Sequence, residues 1–211
     1  VLLLEKLIYS DELKELKLRE KKSSVFDFNI DNGSFESGDA EFLYQIIRHF
    51  KPANIIEIGS GESTKIVQKA LKINLIETGN KYIHTCIEPY ENNYLEEFDI
   101  NLKRILVEDC DLKLFDSLGE NDLLFIDSSH IIRPQGDVLK EYLEIIPILK
   151  SGVIVHIHDI FSPRDYKDKW IKEDNIFWNE QYLLECLLSN PRYEIVAGLN
   201  LLKHNHFDKL K

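Results

Sequence analysis

Two short strings could do chemistry at neutral pH: Asp127-Ser128-Ser129-His130 and His156-Ile157-His158-Asp159. Each places a carboxylate beside an imidazole. A neutral imidazole near pH 7 can take a proton from a hydroxyl, so His130 and His158 are candidate general bases. The carboxylates of Asp127 and Asp159 are the candidate ligands of a divalent ion. Mg²⁺ is the first choice, since it needs only a few carboxylates and keeps several waters. Such an ion could bind and acidify a substrate hydroxyl. Asp159 therefore stands with the two histidines as a catalytic candidate, and His156 reads as a packed core histidine.

A third string, Asn54 to Thr64 (NIIEIGSGEST), suits a ligand more than a reaction. Ile55, Ile56 and Ile58 are β-branched and apolar, as in a buried strand. Gly59 and Gly61 bracket Ser60 and allow a tight turn that a ligand can approach closely. Ser63 and Thr64 open a helix whose N–H groups and positive dipole end suit a carboxylate or phosphate. Glu57, a carboxylate in an apolar strand, needs a partner; the sequence places it at the strand end, beside a crevice. Thr64 stands where a dinucleotide-binding turn would carry its third glycine.

The elements that must position these residues alternate. Strands are expected at 55–58, 82–87, 104–107, 123–126 and 153–157, with helices at 39–50, 65–72, 112–118, 136–149 and 181–188. Pro147 falls where it can kink the end of its helix. Repeated βα units predict an α/β fold: a Rossmann-like, doubly wound, mostly parallel sheet flanked by helices. Glu57, Glu88, Asp109, Asp127 and Asp159 then each end a strand, along the sheet edge where such folds bind ligands. For Asp109 an N-cap role competes. Glu88 sits one βα unit beyond the glycine turn, where a carboxylate can accept both hydroxyls of a ribose.

The remaining stretches carry less. Residues 1–34 read as a helical and irregular extension, with an amphipathic helix over 1–22, and residues 35–211 as the catalytic domain. Phe161 to Trp178 reads either as an aromatic lid over the crevice or as a packed loop. Asn179-Glu180-Gln181 either caps the next helix or faces the pocket. A C-terminal antiparallel strand is expected at 193–197, its partner incomplete, with His204 and His206 in a solvated tail.

Composition narrows the partners. The 211 residues carry a net charge of −11. That argues against a nucleic-acid binder, whose affinity rests on neutralising phosphates, and against an anionic membrane surface. No apolar run is long enough to span a membrane. Cys86, Cys110 and Cys186 are odd in number and lack C-x-x-C spacing, which points to a reducing, cytoplasmic setting. The chain begins at Val1 and contains no methionine, so it reads as processed or trimmed. A homo-oligomer is left open.

The E-x-G-x-G turn resembles the first motif of the class I S-adenosylmethionine-dependent methyltransferases. FIDSSH, GDVLKEYLEIIPILKSGVIVHIHDIF and FWNEQYLLECLL are similar to their small-molecule O-methyltransferase-like branch. The DSSH and HIHDIF strings resemble the metal-dependent, cephalosporin hydroxylase-like enzymes of antibiotic maturation. The resemblance runs from about Phe35 to about Leu202. It implies that Glu57, Gly59, Ser60, Gly61 and Ser63 wrap the methionine end of S-adenosylmethionine. It implies that Glu88 holds the ribose, that Pro89 flanks the adenine, and that Asp109 and Cys110 contact it. Asp127 would border the cofactor, and Asp127, His158 and Asp159 match the metal ligands. The implied acceptor is a hydroxyl of a sugar or secondary metabolite. Two other readings stay open: a nicotinamide-dependent oxidoreductase, and a non-catalytic domain that binds the same cofactor.

Overall fold

The computed structural model describes residues 8–20, 24–90 and 92–205. Five strands form one sheet: β1 (Asn54–Ile58), β2 (Ile83–Ile87), β3 (Asn101–Lys103), β4 (Leu123–Ile126) and β5 (Ile154–Ile157). Their order is β3-β2-β1-β4-β5, and every pairing is parallel. The expected Rossmann-like α/β sheet is present. The chain winds outward from β1 in both directions, so the crevice opens above the C-terminal ends of β1 and β4.

Alternation along the strands splits the core into two layers. Ile55, Leu123 and Phe125 face α2 (Asp39–Phe50) and α3 (Glu62–Thr78), packing with Leu43, Ile47, Ile66 and Leu71. Ile56, Ile58, Leu124 and Ile126 face the other way, against Val138, Tyr142, Ile145 and Ile146. The second layer comes from α4 (Asp137–Lys140), a π-helical stretch Glu141–Ile145, and α5 (Ile146–Ile148). Pro147 has no N–H to return and its ring crowds the carbonyl four residues back. The wider π-turn just before it accommodates both defects.

The N-terminal helix is shorter than expected. Among the described residues it is α1 (Ser10–Glu15), and Lys17 at φ 51° breaks it. Residues 1–7 and 21–23 lie outside the described residues. Leu18, Phe28 and Ile30 bury themselves in the first core layer. Arg48 of α2 is fully buried and binds Glu12 of α1 at 2.8 and 2.9 Å, and Asn74 and Glu77 of α3.

Two strands depart from expectation. The third strand is Asn101–Lys103 rather than 104–107. It is a short polar edge strand, and the apolar run after it forms turns, with Ile105 exposed at 40%. Residues 193–197 form no strand, because no neighbouring strand offers them a ladder. Tyr193 packs into the second core layer, Ile195 and Val196 face solvent, and Arg192 bonds the carbonyls of Pro147 and Leu149. The chain then forms α8 (Leu199–Asn205), which carries the exposed His204; His206 lies outside the described residues. Between β5 and α8 lie α6 (Asp168–Lys172) and α7 (Glu180–Leu188). Among the described residues no helix is long and apolar enough to cross a membrane.

Candidate active site

Hydrogen bonds level the strand ends. Gly59 N–H donates to the carbonyl of Ile87, Asp127 N–H to Ile58, and His158 N–H to Ile126, all within 2.9–3.0 Å. Gly59, Asp127 and His158 therefore leave the sheet at one height. Gly59 has φ +76°, and a Cβ on it would lie 1.8 Å from the carbonyl oxygen of Asp127. Only glycine lets β1 turn away that close to β4. Gly61 is extended, at φ 177°, so its glycine is not required by the backbone.

Beyond Gly59 lies a cleft of about 370 Å³. Gly59, Ser60, Gly61 and Ser63 form one wall and Glu88 and Asp127 border it. The Glu88 carboxylate accepts from Ser60 N–H at 3.1 Å and Tyr90 N–H at 3.0 Å. Those bonds fix it at the end of β2. Sequence reasoning missed Asn32, Ser34, Phe35, Asn92 and Tyr94, which also line this cleft. Asn32 to Phe35 arrive from the N-terminal stretch. Asn32 Oδ1 closes an Asx turn by accepting from Ser34 and Phe35 N–H. In the sequence Asn32 and Ser34 fall in an irregular extension, and their place against the cleft was not legible.

Three expected cofactor contacts lie elsewhere. Glu57 is fully buried behind the turn. Its carboxylate accepts from the hydroxyls of Ser63 and Thr64 and meets His84 Nε2 at 3.0 Å. It shapes the turn instead of reaching the cleft. The Ser63 hydroxyl is likewise turned inward, leaving its backbone on the cleft wall. Asp109 lies in a single helical turn (Val107–Asp109), exposed and six residues past the true end of β3. Cys110 is buried in the second core layer, its Sγ toward the carbonyl of Leu106. Neither borders the cleft; the displaced third strand explains both. Pro89 is half-buried just past β2, beside the exposed Tyr90.

The two acid–imidazole strings converge. Asp127 Oδ1 lies 3.3 Å from both His130 Nε2 and His158 Nδ1. Asp159 Oδ2 lies 3.8 Å and 3.5 Å from the same two nitrogens. His130 and Asp159 both hold φ near +55°, at 59° and 54°, a conformation uncommon for them that turns both side chains to this point. Asp39, the first residue of α2, adds a carboxylate 3.8 Å from His158 Nε2. His156 packs instead on Phe42 and Phe125, and burial lowers its pKa to about 4.

Glu180 completes the set. It is fully buried, meets His130 Nδ1 at 2.8 Å, and accepts from the Tyr142 hydroxyl at 2.8 Å. Of the two readings of Asn179-Glu180-Gln181, Glu180 takes the pocket. A carboxylate on the far imidazole nitrogen fixes the ring and aims the near one. Trp178 covers His130 at 4.3 Å between ring centroids. Around it Phe161, Tyr166 and Trp170 form one aromatic cluster, so the 161–178 stretch is a packed wall over the crevice.

Burial alone would drive both imidazolium protons off, but the facing carboxylates outweigh it. Asp127 and Glu180 raise His130 to about 9, and Asp127 and Asp39 raise His158 to about 10. Burial works against the Asp127 charge, yet its bonds to the two histidines hold its pKa well below the usual range. Burial also raises Asp159. One oxygen each of Asp127 and Asp159 and one nitrogen of His158 all lie within 4.8 Å of one another. That donor set fits a divalent ion. Its nitrogen suits Mn²⁺ or Zn²⁺ as well as Mg²⁺. Binding would release the imidazolium proton of His158.

Comparison with known proteins agrees with this geometry. Residues 56–160 match the family model described as "Methyltransferase domain". An uncharacterized protein of Archaeoglobus fulgidus is 34% identical over 128 residues, covering 53% of this chain and 57% of its own length. The chain thus spans little more than half of that relative. The crystal structure of the SAH-bound methyltransferase PaMTH1 of Podospora anserina superposes with a TM-score of 0.53 at 15% identity, over 90% of each chain. That likeness is one of fold. The glycine turn, most of the parallel sheet, and Glu88, Asp127, His130, His158 and Asp159 fall within the matched span, while Asp39, Trp178 and Glu180 lie outside it; over residues 56–160 the chain carries a methyltransferase domain, of the class I, S-adenosylmethionine-dependent kind.

Proposed function

We propose that this chain transfers the methyl group of S-adenosylmethionine to a hydroxyl of a small molecule, a sugar or a secondary metabolite. One observation carries the reading: Asp127 borders the cofactor cleft and also anchors the histidine–carboxylate set. A methyl donor in the cleft therefore faces groups able to bind and deprotonate a hydroxyl.

When bound, the cofactor supplies an electrophilic sulfonium methyl. The Gly59–Ser63 turn and the N-terminus of α3 suit its carboxylate end, and the Glu88 carboxylate suits the ribose hydroxyls. Asp127, His158 and Asp159 would hold a divalent ion, which would supply Lewis acidity toward the acceptor oxygen. His130, oriented by Glu180, is the group placed to take the hydroxyl proton in its neutral form, which its pKa of about 9 makes the minor one at neutral pH. Trp178 and the aromatic wall exclude water from that oxygen. Most of the acceleration comes from holding oxygen and methyl in line.

The test is transfer of isotopically labelled methyl from S-adenosylmethionine to a panel of sugars, catechols and polyketide alcohols, with Mg²⁺, with Mn²⁺ and with chelator. Transfer to a hydroxyl oxygen that falls at least tenfold in Asp127→Asn is the expected result. Cofactor binding with no transfer to any hydroxyl would overturn the acceptor assignment.

A further inference from the structure

Glu57, His84 and Cys86 lie under the cofactor turn, and the reaction above uses none of them directly. They sit in two central strands whose other buried positions are mostly isoleucine. All three are buried, with exposures of 0%, 2% and 0%. A carboxylate, an imidazole and a thiol together in a sheet core are costly unless something repays their desolvation.

We propose that these three side chains form a buried zinc site, separate from the acid–histidine set at the crevice. The strand geometry brings them together. Glu57 and Cys86 are register partners across β1 and β2. His84 and Cys86 are two residues apart and so share a face. Glu57 Oε2 lies 3.0 Å from His84 Nε2 and 3.5 Å from Cys86 Sγ, and Sγ lies 3.4 Å from Nε2. A tetrahedral zinc with ordinary bond lengths separates its N and O ligands by roughly 3.3 Å, and S from either by roughly 3.6 Å. The triangle already matches within a few tenths of an ångström.

The ligand types are those zinc selects, a thiolate, an imidazole and a carboxylate. A second shell is present as well. Gln68 holds His84 Nδ1 at 2.9 Å, and its own Oε1 is buried without a partner. Turned over, that amide oxygen accepts from an Nδ1–H. This tautomer leaves the Nε2 lone pair for a metal. Ser63 and Thr64 orient the Glu57 carboxylate, and the Thr64 hydroxyl, 3.0 Å from Glu57 Oε2, is within reach as a fourth donor. Binding releases the Cys86 thiol proton to solvent. The ion would brace the turn from below, because Glu57 holds the first residues of α3.

The test uses untagged, full-length protein purified without chelator. Metal content is measured by mass spectrometry, and the metal-free protein is titrated with Co²⁺. One zinc per chain that depends on Cys86 is expected. A thiolate-to-cobalt charge-transfer band is also expected, persisting in Asp127→Asn, whose altered site contains no sulfur, and vanishing in Cys86→Ser. Absence of the band in folded wild-type protein at excess Co²⁺, or its survival in Cys86→Ser, would overturn the proposal. The wild-type titration decides even where a variant fails to fold, and neither outcome depends on cofactor binding.

Discussion

Gly59 is where the backbone demand and the ligand demand coincide. Its positive φ and the 1.8 Å approach of the Asp127 carbonyl leave no room for a methyl group. Gly59→Ala should push β1 off β4 and cost on the order of 2–4 kcal/mol, with S-adenosylhomocysteine binding lost by calorimetry. Gly61→Ala, on extended backbone, should fold normally. Glu180 acts one step from the chemistry, through His130. Glu180→Gln keeps its shape and its bond from Tyr142 while removing the charge behind the imidazole. Turnover should fall roughly 10–100-fold, with S-adenosylhomocysteine affinity unchanged; a matching loss of affinity would make Glu180 merely structural. The convergence of Glu88, Asp127, His158 and Asp159 on one sheet edge was readable from sequence because residue type and strand-end position coincide there, and His130 follows three residues after Asp127. Glu57 was misread for a physical reason. A carboxylate near a strand end can face the crevice or the core, and the choice depends on His84, Ser63 and Thr64, three partners brought to it by folding.

At the level of elements, α1 is held to α2 and α3 by Arg48. Its guanidinium bonds keep the Glu12 carboxyl below its ordinary range and lower Glu77 to about 2 from an ordinary 4.5. Carboxylates with depressed pKa values contribute stability that is complete above the unfolded value and fades as they protonate. The melting temperature should therefore drop as pH falls from about 4.5 toward 2. Arg48→Met should cost about 3 kcal/mol at neutral pH and flatten that acid limb; an unchanged limb would place the acid sensitivity elsewhere. Strong periodicity marked β1, β2, β4, β5, α2 and α7 well. It failed at β3, where a polar edge strand precedes a more apolar run that forms turns. It failed again at 193–197, where strand-like residues have no ladder to join. Pro147 signalled a defect in its helix, but a π-turn rather than a kink resolves it.

Across the whole molecule, the β3-β2-β1-β4-β5 order puts the glycine turn and the acid–histidine set on the two sides of one switch point. Alternating strand and helix patterns were enough to foresee that arrangement, since parallel strands must all present their C-terminal ends along one edge. One wall of the crevice was not foreseeable, because Asn32 to Phe35 come from a distant stretch before the first strand; the other, Phe161 to Trp178 after the last, was open between a lid and a packed loop, and its aromatic contacts make it a packed wall. The central claim is that this edge holds S-adenosylmethionine through Glu88. Calorimetric titration with S-adenosylhomocysteine of wild type and Glu88→Ala tests it most directly. The account predicts micromolar-range binding, on the order of −8 kcal/mol, that collapses in the variant while its melting temperature holds. No binding to folded wild-type protein, or equal binding by the variant, would contradict it.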